Sequence, residues 1–152
     1  CWWSVLWYEL QSWMKLKSVD IFNVSKYVSW PATAKQVQVC MQGNDALIGF
    51  MKDLVQGRQV GQPPRPIEVR SLVSGEANQD CDIAFVQQDL PKDYFTSPNT
   101  LIVASERSVK QSRPALIFFE ENNKLRFEVD LEALHDSQRQ ISSELLKLAK
   151  IK

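Results

Sequence analysis

Cys81-Asp82-Ile83-Ala84-Phe85-Val86 is a short apolar run broken only by Asp82, and it lacks the in-out alternation of a strand with one wet face. Such a run reads as a strand covered on both sides. Thr100-Leu101-Ile102-Val103-Ala104 has the same character. Upstream, Val37-Gln38-Val39-Cys40-Met41 and Ile67-Glu68-Val69-Arg70-Ser71-Leu72 alternate as strands do. Between those two, Gly43-Asn44-Asp45 supplies a turn and a helix N-cap, and a helix is expected from Ala46 to Val55, burying Leu47, Phe50, Met51 and Leu54. Gln56 to Pro66, with its Gly and Pro residues, reads as loop or edge segment, and Ser74 to Asp80 as a polar turn or short helix. Strand, helix, strand, connection, strand, connection, strand is the rhythm of an α/β fold: a single domain with an open, mostly parallel sheet and flanking helices.

Both ends extend this frame. Asp20 to Trp30 reads as a short helix with Ile21, Val24, Tyr27 and Val28 on one face, stopped by Pro31. Ala115-Leu116-Ile117-Phe118-Phe119 and Lys124-Leu125-Arg126-Phe127-Glu128-Val129-Asp130 flank the polar Glu120-Glu121-Asn122-Asn123, which predicts a β-hairpin. A C-terminal helical stripe follows in Leu131, Leu134, Ile141, Leu145 and Leu148, broken at Gln138, so one bent helix or two are expected. The first eight residues hold Trp2, Trp3 and Trp7, three of the five tryptophans. Residues 1–14 are therefore set apart as a Trp-rich segment ahead of an α/β domain over 15–152. Indole rings favour a membrane boundary, so Trp2, Trp3 and Trp7 are candidate anchors to a membrane or partner. The other readings are an amphipathic helix docked on the body, or non-native residues placed before Met14.

At 152 residues, 44% hydrophobic and 24% charged, the chain has the composition of one globular domain with a core of its own. Lys plus Arg and Asp plus Glu both number 18, so there is no basic field to attract nucleic acid. The longest uncharged run, Tyr94 to Ser105, is too short to span a bilayer. A basic stretch, apolar core and small-residue cleavage site do not occur in order at the start, as in a mature or trimmed chain.

Catalytic machinery is sparse. The single histidine, His135, stands beside Asp136 in a polar helical turn, where a solvated side chain is the ordinary expectation. One His without a Cys-x-x-Cys pair argues against a metal site, and the five glycines, at 43, 49, 57, 61 and 75, form no phosphate loop or nucleophile elbow. No enzyme activity, cofactor or metal is expected. Cys40 and Cys81 open two possibilities. If both point to one side of adjacent strands they are within bridging reach, closing a loop of about 42 residues worth roughly 4 kcal/mol in the chain-entropy model. Otherwise they are buried free thiols, and spacing alone leaves both open.

Ile21-Phe22-Asn23-Val24-Ser25-Lys26-Tyr27-Val28-Ser29-Trp30-Pro31 resembles the phrase F-x-N-x-A-K-Y-V-x-W-P that opens the mature domain of YfiR-like proteins. Val37 to Asp45 resembles that family's first strand and turn, and Cys81 to Val86 its C-D-V-L-F-I strand. Leu125 to Leu131 and Ile141 to Lys150 resemble its V-R-F-E-I-N-L and I-S-S-x-L-L-x-L-A-K phrases. The motifs run in register over about residues 15 to 151. The resemblance implies a periplasmic, dimer-forming regulator that holds the sensor part of an inner-membrane diguanylate cyclase inactive, a role in c-di-GMP signalling. Related domains precede membrane sensor kinases. It also implies a Cys40–Cys81 disulfide. The chain departs from the pattern in lacking the second family disulfide, in an extra Cys1, in Ser112-Arg113-Pro114 where a Gly-Gly turn is frequent, and in Asp130 where Asn is usual.

Contact with a protein partner is thus the leading function, with Tyr27, Trp30, Arg126 and Glu128 as candidate contact residues. Arg126 and Glu128 share the strand face opposite Phe127, although a solvated face gives the same pattern, and Trp30 before Pro31 suits a locked corner equally well. The alternative is a structural subunit of a larger cell-envelope assembly. A small-molecule cleft has less support, because no one motif gathers convergent polar groups.

Overall fold

The computed structural model describes residues 2–72, 80–91, 93–95 and 97–151, with the side chains of the first helix described from Ser12 onward. In chain order the elements are α1 (Trp2–Tyr27), β1 (Val37–Met41), α2 (Asp45–Val55), β2 (Gln59–Val60), β3 (Arg65–Ser71), β4 (Ile83–Val86), β5 (Leu101–Ala104), β6 (Leu116–Glu121), β7 (Lys124–Val129), α3 (Leu131–Ser137), α4 (Ser143–Leu148) and β8 (Lys150–Ile151). The turn or helix expected at Ser74 to Asp80 lies, but for Asp80, outside the described residues. The strands make one sheet in the order β2-β3-β1-β4-β5-β6-β7-β8. All pairs are parallel except β2-β3 and the β6-β7 hairpin. This is the mostly parallel α/β sheet with a C-terminal hairpin that the strand pattern predicts.

The period of two divides the central strands cleanly. Val37, Val39, Met41, Ile83, Phe85, Leu101, Val103, Leu116 and Phe118 meet Ile21, Phe22 and Val24 of α1, Leu47, Ile48, Met51 and Val55 of α2, and Ala133, Leu134 and Leu145 of the C-terminal helices. On the other face Cys40, Ala84, Val86, Ala104 and Ile117 pack with Cys81 and Val109, and with the partly buried Leu90, Phe95 and Ile102. Side chains are smaller there because irregular connections cover them.

Several elements differ from their sequence reading. The helix expected at Asp20–Trp30 begins far earlier and ends at Tyr27, since Val28 leaves it to bridge Ile141. Its buried stripe includes Ser18 and Ser25, whose hydroxyls donate back to the carbonyls of Met14 and Phe22 and so need no outside partner. Tyr27 sits on the rim of that stripe and is 37% exposed, not buried with Ile21 and Val24. In α2, Asn44 caps as expected, its Oδ1 accepting from Leu47 N at 2.9 Å, but the buried face is Leu47, Ile48, Met51 and Val55. Phe50 and Leu54 are half-buried at its flank. The hairpin turn is tighter than the polar tetrapeptide suggested, with Asn122 and Asn123 at φ 53° and 60°, the left-handed pair a two-residue turn requires.

The C-terminal stripe resolves into two helices. Gln138 at φ 59° ends α3, and the Ser142 hydroxyl caps α4 by accepting from Glu144 N. With two axes the stripe is not shared, so Leu134 and Leu145 are buried while Leu131 is exposed and Leu148 is 73% exposed. The chain then adds β8 beside β7, which no alternation in so short a segment announces. At the other end, Lys17 of α1 donates from Nζ to the Ser105 carbonyl at 2.9 Å and hydroxyl at 3.0 Å, strapping the helix over the end of β5. Burial lowers the Lys17 pKa, and Glu106 and Glu120 partly restore it.

Asp20, three residues on, is half-buried, and desolvation raises its carboxyl above the ordinary 3.8. The folded state therefore keeps the proton in a window just above 3.8 where the unfolded chain has lost it, so this contribution to stability is full below the window and is lost as pH rises through it. Asp20→Asn is expected to stabilise the fold at neutral pH by on the order of 0.5–1 kcal/mol. Denaturation curves at several pH values should show the gain fading toward acid pH, where wild-type Asp20 is itself neutral.

Candidate functional site

Cys40 lies in β1 and Cys81 two residues ahead of β4, and their sulfurs are bonded, with the Cα atoms 5.9 Å apart. The apolar run 81–86 predicts Cys81 inside its strand. Instead it lies in the connection entering β4, so the bridge pins that connection onto the loop-covered face of the sheet. Parallel register sets Arg70 of β3 beside Cys40, and its Nε donates to Cys40 Sγ at 3.2 Å. Nη2 of Arg70 donates to the Asp80 carbonyl at 2.6 Å and stands 3.8 Å from Cys81 Sγ. The Arg70 guanidinium thus lies against both sulfurs of the bridge.

One residue further, Asp82 gathers the strand starts. Its Oδ2 accepts from Gln38 N at 2.8 Å and its Oδ1 from Arg139 Nη2 at 3.3 Å, while Arg139 Nε donates to the Asn99 carbonyl at 2.9 Å. The Arg139 guanidinium also stacks over Trp30, 4.9 Å from the ring centre. Burial lowers the Arg139 pKa and Asp82 raises it. Trp30 is 7% exposed, and its Nε1 donates to the Ser25 carbonyl at 2.9 Å. These contacts make Trp30 part of a locked corner.

The remaining candidates are dispersed. Tyr27 and Arg126 are exposed, Arg126 lying 3.8 Å from Glu121. Glu128 shares the strand face of Arg126 but is only 8% exposed, because Arg107 covers it with a 3.3 Å ion pair and rests on Phe119, 4.0 Å from the ring centre. That face is not solvated at Glu128. Trp2, Trp3 and Trp7 fall in the first turns of α1, where their side chains lie outside the described residues. His135 is exposed in the last turn of α3. Among the described residues no group of three His, Cys, Asp or Glu side chains is placed to hold a metal, and no helix is long and apolar enough to cross a membrane.

Sequence reasoning missed Arg70, Asp82, Arg107 and Arg139. Asp82 carried one signal, a lone acid inside an apolar strand motif. The arginines carried none, since their roles depend on register and on where connections cross the sheet.

A family model described as YfiR/HmsC-like matches residues 14–150. No curated protein matches the chain.

Replacing both Cys40 and Cys81 by Ala is expected to lower stability by up to ~4 kcal/mol, the loop-closure value for a bridge of this span. Urea denaturation measures the loss. Peptide mapping without reductant should recover the two cysteines in one linked pair.

Proposed function

Because this chain belongs to the YfiR/HmsC-like family, we propose that it is a periplasmic regulator that acts by protein–protein contact. Its partner in this reading is the periplasmic sensor part of an inner-membrane protein, a diguanylate cyclase of c-di-GMP signalling or a sensor kinase. The observation that carries the proposal is the family match over nearly the whole chain. Supporting it is the Cys40–Cys81 bridge, a bond that persists in oxidising compartments such as the periplasm. The family resemblance adds a homodimer to this reading.

Tyr27 and Arg126 are the contact candidates best suited to meet a partner directly, since both side chains are exposed. Trp30 would act by shaping the corner, and Glu128 by fixing Arg107. The Trp-rich segment, residues 1–14, is proposed as an attachment element distinct from the domain over 15–152, although α1 runs without a break through that boundary.

Pull-down from native membranes with the intact chain should capture a protein with a periplasmic sensor region and a cytoplasmic output domain. Recovery of a multi-subunit envelope machine instead would overturn regulation in favour of architecture. Tyr27→Ala and Arg126→Ala should each weaken capture while leaving stability within about 0.5 kcal/mol, the usual cost of exposed substitutions.

A second expectation concerns the segment itself. Deleting residues 1–13 should leave a cooperatively melting domain that binds membranes or its partner less well. A truncated chain that does not fold would make the segment part of the core.

A further inference from the structure

Small-molecule binding had the least support in the sequence because no single motif gathers polar groups. Tertiary structure gathers them. A crevice of about 580 Å³ lies between α1 and α2 and reaches Gly43 and Gln87, just past the carboxyl ends of β1 and β4. From β1 the chain moves to β3 on one side, whereas β4 lies on the other, so strand order reverses there. Ligands of open parallel sheets bind at that reversal, in pockets of ~300–1,000 Å³.

α2 turns Asp45, Gly49, Phe50 and Asp53 toward the crevice. A glycine inside a helix is unfavourable relative to alanine, and a Cβ at Gly49 would meet nothing within 4 Å, so packing does not demand one. Its effect is to leave open the wall beside the Phe50 ring. Neither Asp45 nor Asp53 belongs to any of the ion pairs among the described residues. Asp45 suits the start of a helix, but Asp53, two turns on, has no such role. Lys15 of α1 already holds its Nζ over Phe50 at 5.5 Å, near the outer limit of about 6 Å for a cation–π contact. One crevice that holds an aromatic ring and two carboxylates in its lining suits positive charge, and the lysine is a tethered occupant at long range. Leu47, Met14 and Ala46 add apolar wall, and Asn44 and Gln87 polar wall.

We propose that this crevice binds a small organic cation, an ammonium carried on an apolar body, seated over Phe50 between Asp45 and Asp53 in place of the Lys15 ammonium. An anionic ligand would meet two carboxylates, and the Asn44 side chain already occupies the Leu47 N–H at the start of α2.

Benzyltrimethylammonium chloride is the probe, sodium benzenesulfonate its anionic counterpart, and calorimetry on the full chain at constant ionic strength the measurement. Saturable binding of the cation is expected, weakened by about tenfold in Phe50→Leu and in Asp53→Asn. Lys15→Ala should tighten it by removing the competing ammonium, and Gly49→Leu should abolish it by filling the crevice. Asp53 is exposed, and leucine favours a helix more than glycine, so these two variants keep the fold and circular dichroism verifies it. The proposal is overturned by no saturable cation binding, by tighter binding of the sulfonate, by weaker binding in Lys15→Ala, or by unchanged affinity in folded Asp53→Asn.

Discussion

Strands β4, β5 and β6 are buried on both faces, and the helices among the described residues cover only one of them. Ile83, Ala84, Phe85 and Val86 are all fully buried, so neither side of the sheet can be left to water. α1, α2 and the C-terminal helices cover one face with large aliphatic and aromatic contacts. The other face depends on connections, which bury little by themselves and are fixed by specific bonds. The disulfide holds the entry to β4, and Arg107 lies over Phe119 and binds Glu128. Backbone N–H groups of Lys110 and Gln111 both donate to Asp89 at 2.9 Å, joining two covering loops. Small residues on this face, Ala84, Ala104 and Cys40, let the loops lie close.

The same economy governs the amino ends of the strands. Asp82 receives a backbone N–H from β1 and a guanidinium from the turn after α3, and that guanidinium reaches Asn99 before β5 and Trp30 after α1. One carboxylate thus orders elements far apart in sequence. Removing a partner from such a network leaves its neighbours unsatisfied, which costs more than the bonds contribute when complete. Arg65 shows the contrast. It is 2% exposed beneath Gly61, and among the described residues its three guanidinium nitrogens have no acceptor. Arg139, by contrast, has Asp82 and the Asn99 carbonyl as acceptors.

Apolar periodicity carried most of the architecture. Continuous runs at 83–86 and 101–104 marked two-sided burial, and alternation at 37–41 and 67–71 marked neighbours of the same sheet. Periodicity failed where polar residues are buried or apolar ones are not. Ser18, Ser25 and Lys17 interrupt the hydrophobic stripe of α1, and Leu148 is exposed. β8, only two residues long, has no period to read. Site chemistry was less legible for a different reason. Cys40 and Arg70 meet through strand register, and Asp82 and Arg139 across 57 positions, neither of which any local pattern encodes.

The two ends of the sheet differ in consequence. The amino end is closed by the Asp82, Arg139 and Trp30 contacts, whereas the carboxyl end keeps its crevice, with Met14 and Lys15 of α1 on the rim. A strand of five residues spans roughly 17 Å, but the 26-residue α1 is about 39 Å long at 1.5 Å per residue. From Met14 back to Trp2 the helix covers about 18 Å. Lys15 over Phe50 and the bond from Lys17 to Ser105 put the middle of α1 at this carboxyl end.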